Sequence, residues 1–211
     1  MKFYHSTILL FSAFLLTGGL TAAAEAPQEP AADTAVSVPA EQKMPEAGRK
    51  KAVEVQLEYM DHRLFNNRHI DNYSIHVYQE WKKNGSVSLH KGLTLTRALG
   101  YLTKENDPRH RDSRAVGIGP SFMLRWQRHL SGKLYGGIDA TGSLLFYDKA
   151  FPADSRAYGF MWRTGPRLSY KWNEDNSLTL GYSIMHCSNG MKTRNLGYNG
   201  VGFMLGYQHR F

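Results

Sequence analysis

Near the C-terminus, Ser183-Ile184-Met185-His186-Cys187-Ser188-Asn189-Gly190 is followed by Asn195, Gly197, Asn199 and Gly200. A hydroxyl, an imidazole and several amides in so short a stretch could carry acyl transfer. Ser188 is the candidate nucleophile, His186 the general base and Asn199 the residue that orients the imidazole, with backbone N–H groups at Asn189 and Gly190 as the candidate oxyanion hole. In an extended chain Ser188 and His186 share a face and lie about 6.6 Å apart by rise, so their side chains can touch. The plainer alternative is that Ser-Asn-Gly is turn chemistry and His186 an interface residue. Lys192, Arg194 and Asn195 follow in the same loop and could meet anionic or polar substrate groups, or simply be solvated.

These residues need a rigid support, and the pattern upstream supplies one. Val53, Val55, Leu57 and Tyr59 alternate with Glu54, Gln56 and Glu58, which is the period of a strand with one apolar face. Comparable stripes run through Tyr73–Trp81, Val87–Tyr101, Val116–Trp126, Leu134–Phe146, Tyr158–Trp172, Leu178–Ile184 and Val201–Phe211, with Lys91 and Arg97 interrupting the third. Eight strands result. Connections alternate between long (61–72, 103–115, 147–157, 189–198) and short (83–85, 131–132, 173–176). Short turns at one end, long loops at the other and one apolar face predict an eight-stranded antiparallel transmembrane β-barrel of the outer-membrane kind, both barrel termini periplasmic. Trp81, Trp126, Trp172 and Phe211 fall at the short-turn ends, where a membrane-interface girdle belongs, with Tyr59, Tyr73, Phe146 and Tyr158 near the opposite rim. A soluble lipocalin-like barrel, with its apolar face inward, is the alternative. It would put Arg125, Arg163, Arg167 and Lys171 outside and leave the girdle unexplained. In the membrane reading those cations face Glu54, Glu58, Glu80 and Asp139 in a lumen packed with side chains.

Parity then places the chemistry. Lipid-facing positions are even on the seventh strand and odd on the eighth, so His186, Ser188 and Asn199 all lie on the outer wall, while Cys187 points to the lumen. Paired residues of antiparallel strands keep a constant index sum, here necessarily odd, and His186 opposite Asn199 meets that condition. Polar groups facing lipid are costly, which suggests function. A lumenal acyltransferase is disfavoured because the Ser and His point outward.

The whole chain of 211 residues, 42% apolar and 21% charged, fits one folded domain. Residues 1–24 read as a signal peptide, with Lys2, an apolar stretch from Thr7 to Leu20 and Ala22-Ala23-Ala24 at the cleavage site; an uncleaved anchor is the alternative, against which the stretch is short. Residues 25–51, with Pro27, Pro30, Pro39 and Pro45 among Ala, Glu and Gln, read as a flexible linker, leaving 52–211 for the barrel. One cysteine, Cys187, excludes an internal disulfide and a cysteine-rich zinc site. The net charge of +8 comes from scattered Lys and Arg without a nucleic-acid signature, and fits anionic lipid or saccharide better than nucleic acid.

The stretch His186-Cys187-Ser188-Asn189-Gly190, with Asn195, Gly197 and the final alternating strand ending in Phe211, resembles the His-x-Ser-Asn region of PagL-type lipid A deacylases and the acyloxyacyl-hydrolase-like proteins grouped with them. The resemblance implies an outer-membrane carboxylic ester hydrolase that removes a 3-linked acyl chain from lipid A in the outer leaflet, with Ser188 and His186 catalytic. No cofactor or metal is implied; the partners are lipopolysaccharide and the membrane. Alignment through Asn195 puts Asn199 where the reference members carry Glu, and no Asp or Glu occurs from Met185 onward. An amide carbonyl can still orient an imidazole, as in Cys-His-Asn proteases. The competing reading is a non-catalytic barrel that anchors the envelope or binds a partner through its loops.

Overall fold

The computed structural model describes residues 51–63, 68–104, 107–190 and 193–211. The expected signal peptide, the expected linker up to residue 50, and Lys192 lie outside the described residues. Alternating side chains build β1 (Ala52–Asp61), β2 (His69–Asn84), β3 (Val87–Lys104), β5 (Ala115–Ser131), β6 (Leu134–Phe151), β7 (Arg156–Lys171), β8 (Asn176–Ser188) and β9 (Tyr198–Arg210); between β3 and β5 lies a short β4 (Asp107–Asp112). The neighbours run β2-β1-β9-β8-β7-β6-β5-β3, and β2 pairs with β3, so eight antiparallel strands close into a ring. Both ends of the ring's chain meet at the short-turn end, where Lys51 and Phe211 exchange backbone hydrogen bonds of 3.1 Å.

The apolar stripes face outward. Leu57, Leu93, Ile118, Phe122, Phe146, Leu180 and Phe203 are all more than half exposed, while their chain neighbours Glu58, Thr94, Ser121 and Thr179 are buried. That is the reverse of a soluble barrel and leaves an apolar wall for lipid to cover. At the short-turn end Lys82 and Lys91 lie over the Trp81 ring, and Trp172 stacks on Tyr207 with centroids 5.9 Å apart. This is the girdle expected from the sequence.

Two features differ from the sequence reading. Residues 103–115 do not form an open loop: β4 pairs back onto the end of β3, with Tyr101 opposite Asp112, and His110 stacks on Tyr101 at 4.1 Å. The β4 sequence has no apolar alternation to announce it, and its Arg109, His110 and Asp112 are exposed. Likewise β2 already starts at His69, and β6 and β7 extend to Phe151 and from Arg156, so the long connections are partly strand.

The lumen is also not uniformly polar. Around its middle, Arg125 is held by Glu54 at 2.6 Å and Asp139 at 2.8 Å, and Arg163 by Glu58 at 2.6 Å, His76 at 2.8 Å and the Tyr78 hydroxyl at 2.9 Å. Toward the long-loop end the inward positions turn apolar. Met60, Leu102, Leu145, Met161, Met185 and Tyr198, with Phe151 folded in above them, form a buried core. Strand ends that are apolar on both faces make this plug.

Candidate active site

β8 and β9 carry the site at the long-loop end of the wall. Their register sets His186 opposite Asn199 and Cys187 opposite Tyr198, as parity requires. Cys187 is accordingly buried in the lumen beside the Tyr147 hydroxyl at 3.4 Å, while His186, Ser188 and Asn199 are half-buried on the outer face.

His186 Nδ1 lies 2.7 Å from Asn199 Oδ1. An amide oxygen only accepts, so Nδ1 carries the proton and donates it, and Nε2 is left as the basic nitrogen. A Cβ placed on Gly197 would come 3.2 Å from His186 Cε1, 3.3 Å from the Cys187 carbonyl oxygen and 3.5 Å from Ser188 Cβ, so Gly197 lies against both residues and a larger side chain there would crowd them. On the other side of β8, β7 sets Trp162 opposite His186 and Phe160 opposite Ser188. The Trp162 ring lies 5.8 Å from the imidazole, limiting its swing. Trp162 and Gly197 are the residues that a search for polar groups passes over. Trp162 belongs to a lipid-facing stripe, and Gly197 has no side chain to draw notice.

The loop after Ser188 is tied by its own amides. The Asn189 N–H, expected at the oxyanion hole, donates to Asn195 Oδ1 at 2.9 Å, so both residues serve to hold the loop. The Asn189 side chain is buried and donates to the Arg194 carbonyl at 2.6 Å, which also accepts from Ser155 at 2.7 Å. Arg194 is exposed, with φ at 53°, and Gly190 has φ of 70°. Short Asn-rich loops satisfy their backbone in this way. Beside the site on the wall, an open recess of about 450 Å³ is lined by Tyr59, Asp61, Tyr182, Val201 and Phe203. Among the described residues one group could hold a metal ion, Asp61, His62 and Asp71 at the same end. There Asp71 already engages His62 Nδ1 at 2.6 Å, and Asp61 is bound by Arg63.

The sequence model of the PagL family, described as lipid A 3-O-deacylase (PagL), matches residues 64–208. The chain belongs to that family. No curated protein matches the sequence. Among solved structures it is similar to the crystal structure of Neisserial surface protein A, at 12% identity and TM-score 0.48 over 77% of this chain and 96% of that one. It is similar to the outer membrane enzyme PagL at 14% identity and TM-score 0.48, over 75% and 99%. A third is the outer membrane protein Ail of Yersinia pestis, at 11% identity and TM-score 0.41, over 77% and 100%.

Proposed function

We propose that this chain is an outer-membrane hydrolase that cleaves the 3-linked acyl ester of lipid A by Ser-His catalysis on its lipid-facing wall, with both barrel termini in the periplasm. The observation that carries the reading is the 2.7 Å bond from His186 to Asn199, made on the outer wall where hydrocarbon alone would need no polar pair.

The Ser188 hydroxyl attacks the ester carbonyl while His186 Nε2 takes its proton, and the imidazolium then gives that proton to the departing sugar hydroxyl. Water, activated by the same nitrogen, hydrolyses the acyl-enzyme. Asn199 fixes the tautomer and the plane of the ring throughout. Since the Asn189 N–H is engaged by Asn195, the Gly190 N–H is the backbone donor assigned to the oxyanion. An acyl chain running down the wall finds the recess between Tyr182, Phe203 and Tyr59. Arg194 sits in the loop above, at the level of the phosphorylated headgroup. Asn195 acts through its hold on that loop.

Mass spectrometry of lipid A from cells with and without the protein tests this. Wild type is expected to remove one ester-linked chain, and Ser188→Ala or His186→Ala to remove none while still inserting as folded barrels. Unchanged lipid A with correctly inserted wild type would favour the envelope-anchor alternative.

A further inference from the structure

The turn between β6 and β7 takes no part in the chemistry proposed above, yet it is bonded to the loop that follows Ser188. Its last residue, Ser155, is only 7% exposed, and Asn189 of the facing loop 3%. Ser155 Oγ donates to the Arg194 carbonyl at 2.7 Å and accepts from Asn189 Nδ2 at 3.2 Å, while Nδ2 reaches the same carbonyl at 2.6 Å. The three bonds close a triangle that joins the two loops. A hydroxyl in a surface turn is ordinarily left to water; this one is buried with its partners matched, and removing one partner of such a set leaves the others desolvated.

The turn is itself fixed on several sides. Phe151, just before it, packs in the plug, its ring centroid 4.7 Å from that of Tyr147 and 5.4 Å from that of Tyr198. The Ser155 N–H closes the turn onto the Pro152 carbonyl at 2.9 Å. The Ala153 N–H donates to the Oγ of buried Ser113 at 3.1 Å, and Asp154 pairs with Arg111 of β4. Ser155 therefore ties the loop after Ser188 to the packed end of the barrel. Without it that loop would rest on the Asn189 and Asn195 bonds described above.

We propose that Ser155 is a positioning residue for the outer-wall site: through Asn189 it fixes the start of the loop, and with it the Gly190 N–H assigned to the oxyanion. The inference rests on the Ser-His reading above. An oxyanion donor counts most as the carbonyl oxygen gains charge, so Ser155 governs the rate of attack by Ser188 and not the binding that precedes it.

The full chain folded in maltoside micelles would be treated with an alkyl fluorophosphonate, which an activated serine attacks at phosphorus with loss of fluoride. Wild type is expected to be labelled at Ser188 in a saturable reaction. In Ser155→Ala the maximal labelling rate should fall about tenfold, part of the 10²-fold that a 1 Å misplacement can cost, with the half-saturating probe concentration within about twofold of wild type. Ser155→Ala combined with Asn189→Ala should be no slower than Asn189→Ala alone, since the hydroxyl works through that amide. A merely structural role would lower the thermal midpoint and leave the maximal rate of the folded fraction unchanged. If Ser155→Ala does not fold, Ser155→Cys, with a weaker hydrogen-bonding group in its place, should show the same slowing to a smaller degree. No labelling of folded wild type overturns the Ser-His reading and this inference with it. Labelled wild type with an equal maximal rate in the Ser155 variant, or with additive losses in the double variant, overturns this inference alone.

Discussion

Asn199 is neutral, and that decides what it can do for His186. Its carbonyl oxygen holds Nδ1–H at 2.7 Å, which fixes the ring, but it offers the imidazolium no full charge. A Glu would stabilise the cation more and pay more desolvation against lipid. In kinetics on the purified barrel in detergent, Asn199→Ala is expected to lower the deacylation rate by about 10² or more, the scale of a positioned acid–base contribution, and Asn199→Glu to retain or raise it. A wild-type rate for Asn199→Ala would reduce the arrangement to a Ser-His pair. Gly197 acts sterically. A methyl there meets His186 Cε1 at 3.2 Å and the Cys187 carbonyl oxygen at 3.3 Å, so the ring must give by a few tenths of an ångström. Misplacement by 1 Å can cost 10²-fold, so Gly197→Ala is expected to slow turnover about tenfold with its thermal midpoint little changed. Equal rates in the two proteins would show that the ring has room to spare.

At the scale of elements, β7 is two things at once. Its outward residues Phe160 and Trp162 stand opposite Ser188 and His186, and the next inward residue, Arg163, gathers Glu58, His76 and Tyr78 inside the barrel. Arg163→Ala leaves Glu58 buried with only His76 near it at 3.4 Å. Breaking one side of a buried pair typically costs about 3–5 kcal/mol, and urea unfolding of the refolded barrel should show a loss of that order. A loss below about 1 kcal/mol, the range of exposed pairs, would mean the lumen is wetter than its burial indicates. The strands bearing this network were legible from sequence because each needs one face for lipid and one for the lumen, and the same parity set His186 against Asn199. What was not legible has a physical reason in each case. Among its described side chains β4 has no buried face to impose alternation. The plug residues Met60, Met161 and Met185 are apolar like the wall they adjoin, so the change of lumen character left no mark in the pattern. The Asn189-to-Asn195 bond is a matter of loop geometry, on which periodicity is silent.

The barrel is a wall with a packed, largely polar side inside and an apolar side outside. Leu57, Leu205 and Leu180 stand level on β1, β9 and β8, each about half exposed. Leu205→Arg should therefore destabilise the barrel in a bilayer by about 2–4 kcal/mol, the cost of a cation near the midplane. Unfolding in lipid vesicles measures this, and a cost near zero would put this level at the interface. One further consequence follows from the position of the polar triplet on a single seam, β8 to β9, of an eight-strand circumference. A lipid drifting in the leaflet reaches that seam from one compass bearing only; from every other bearing it meets an inert hull. Capture then depends on how fast the barrel spins about the membrane normal and how crowded its berth is. If the proposed function holds, a neighbour docked against β7, β8 or β9 would close off His186, Ser188 and Asn199 without touching them.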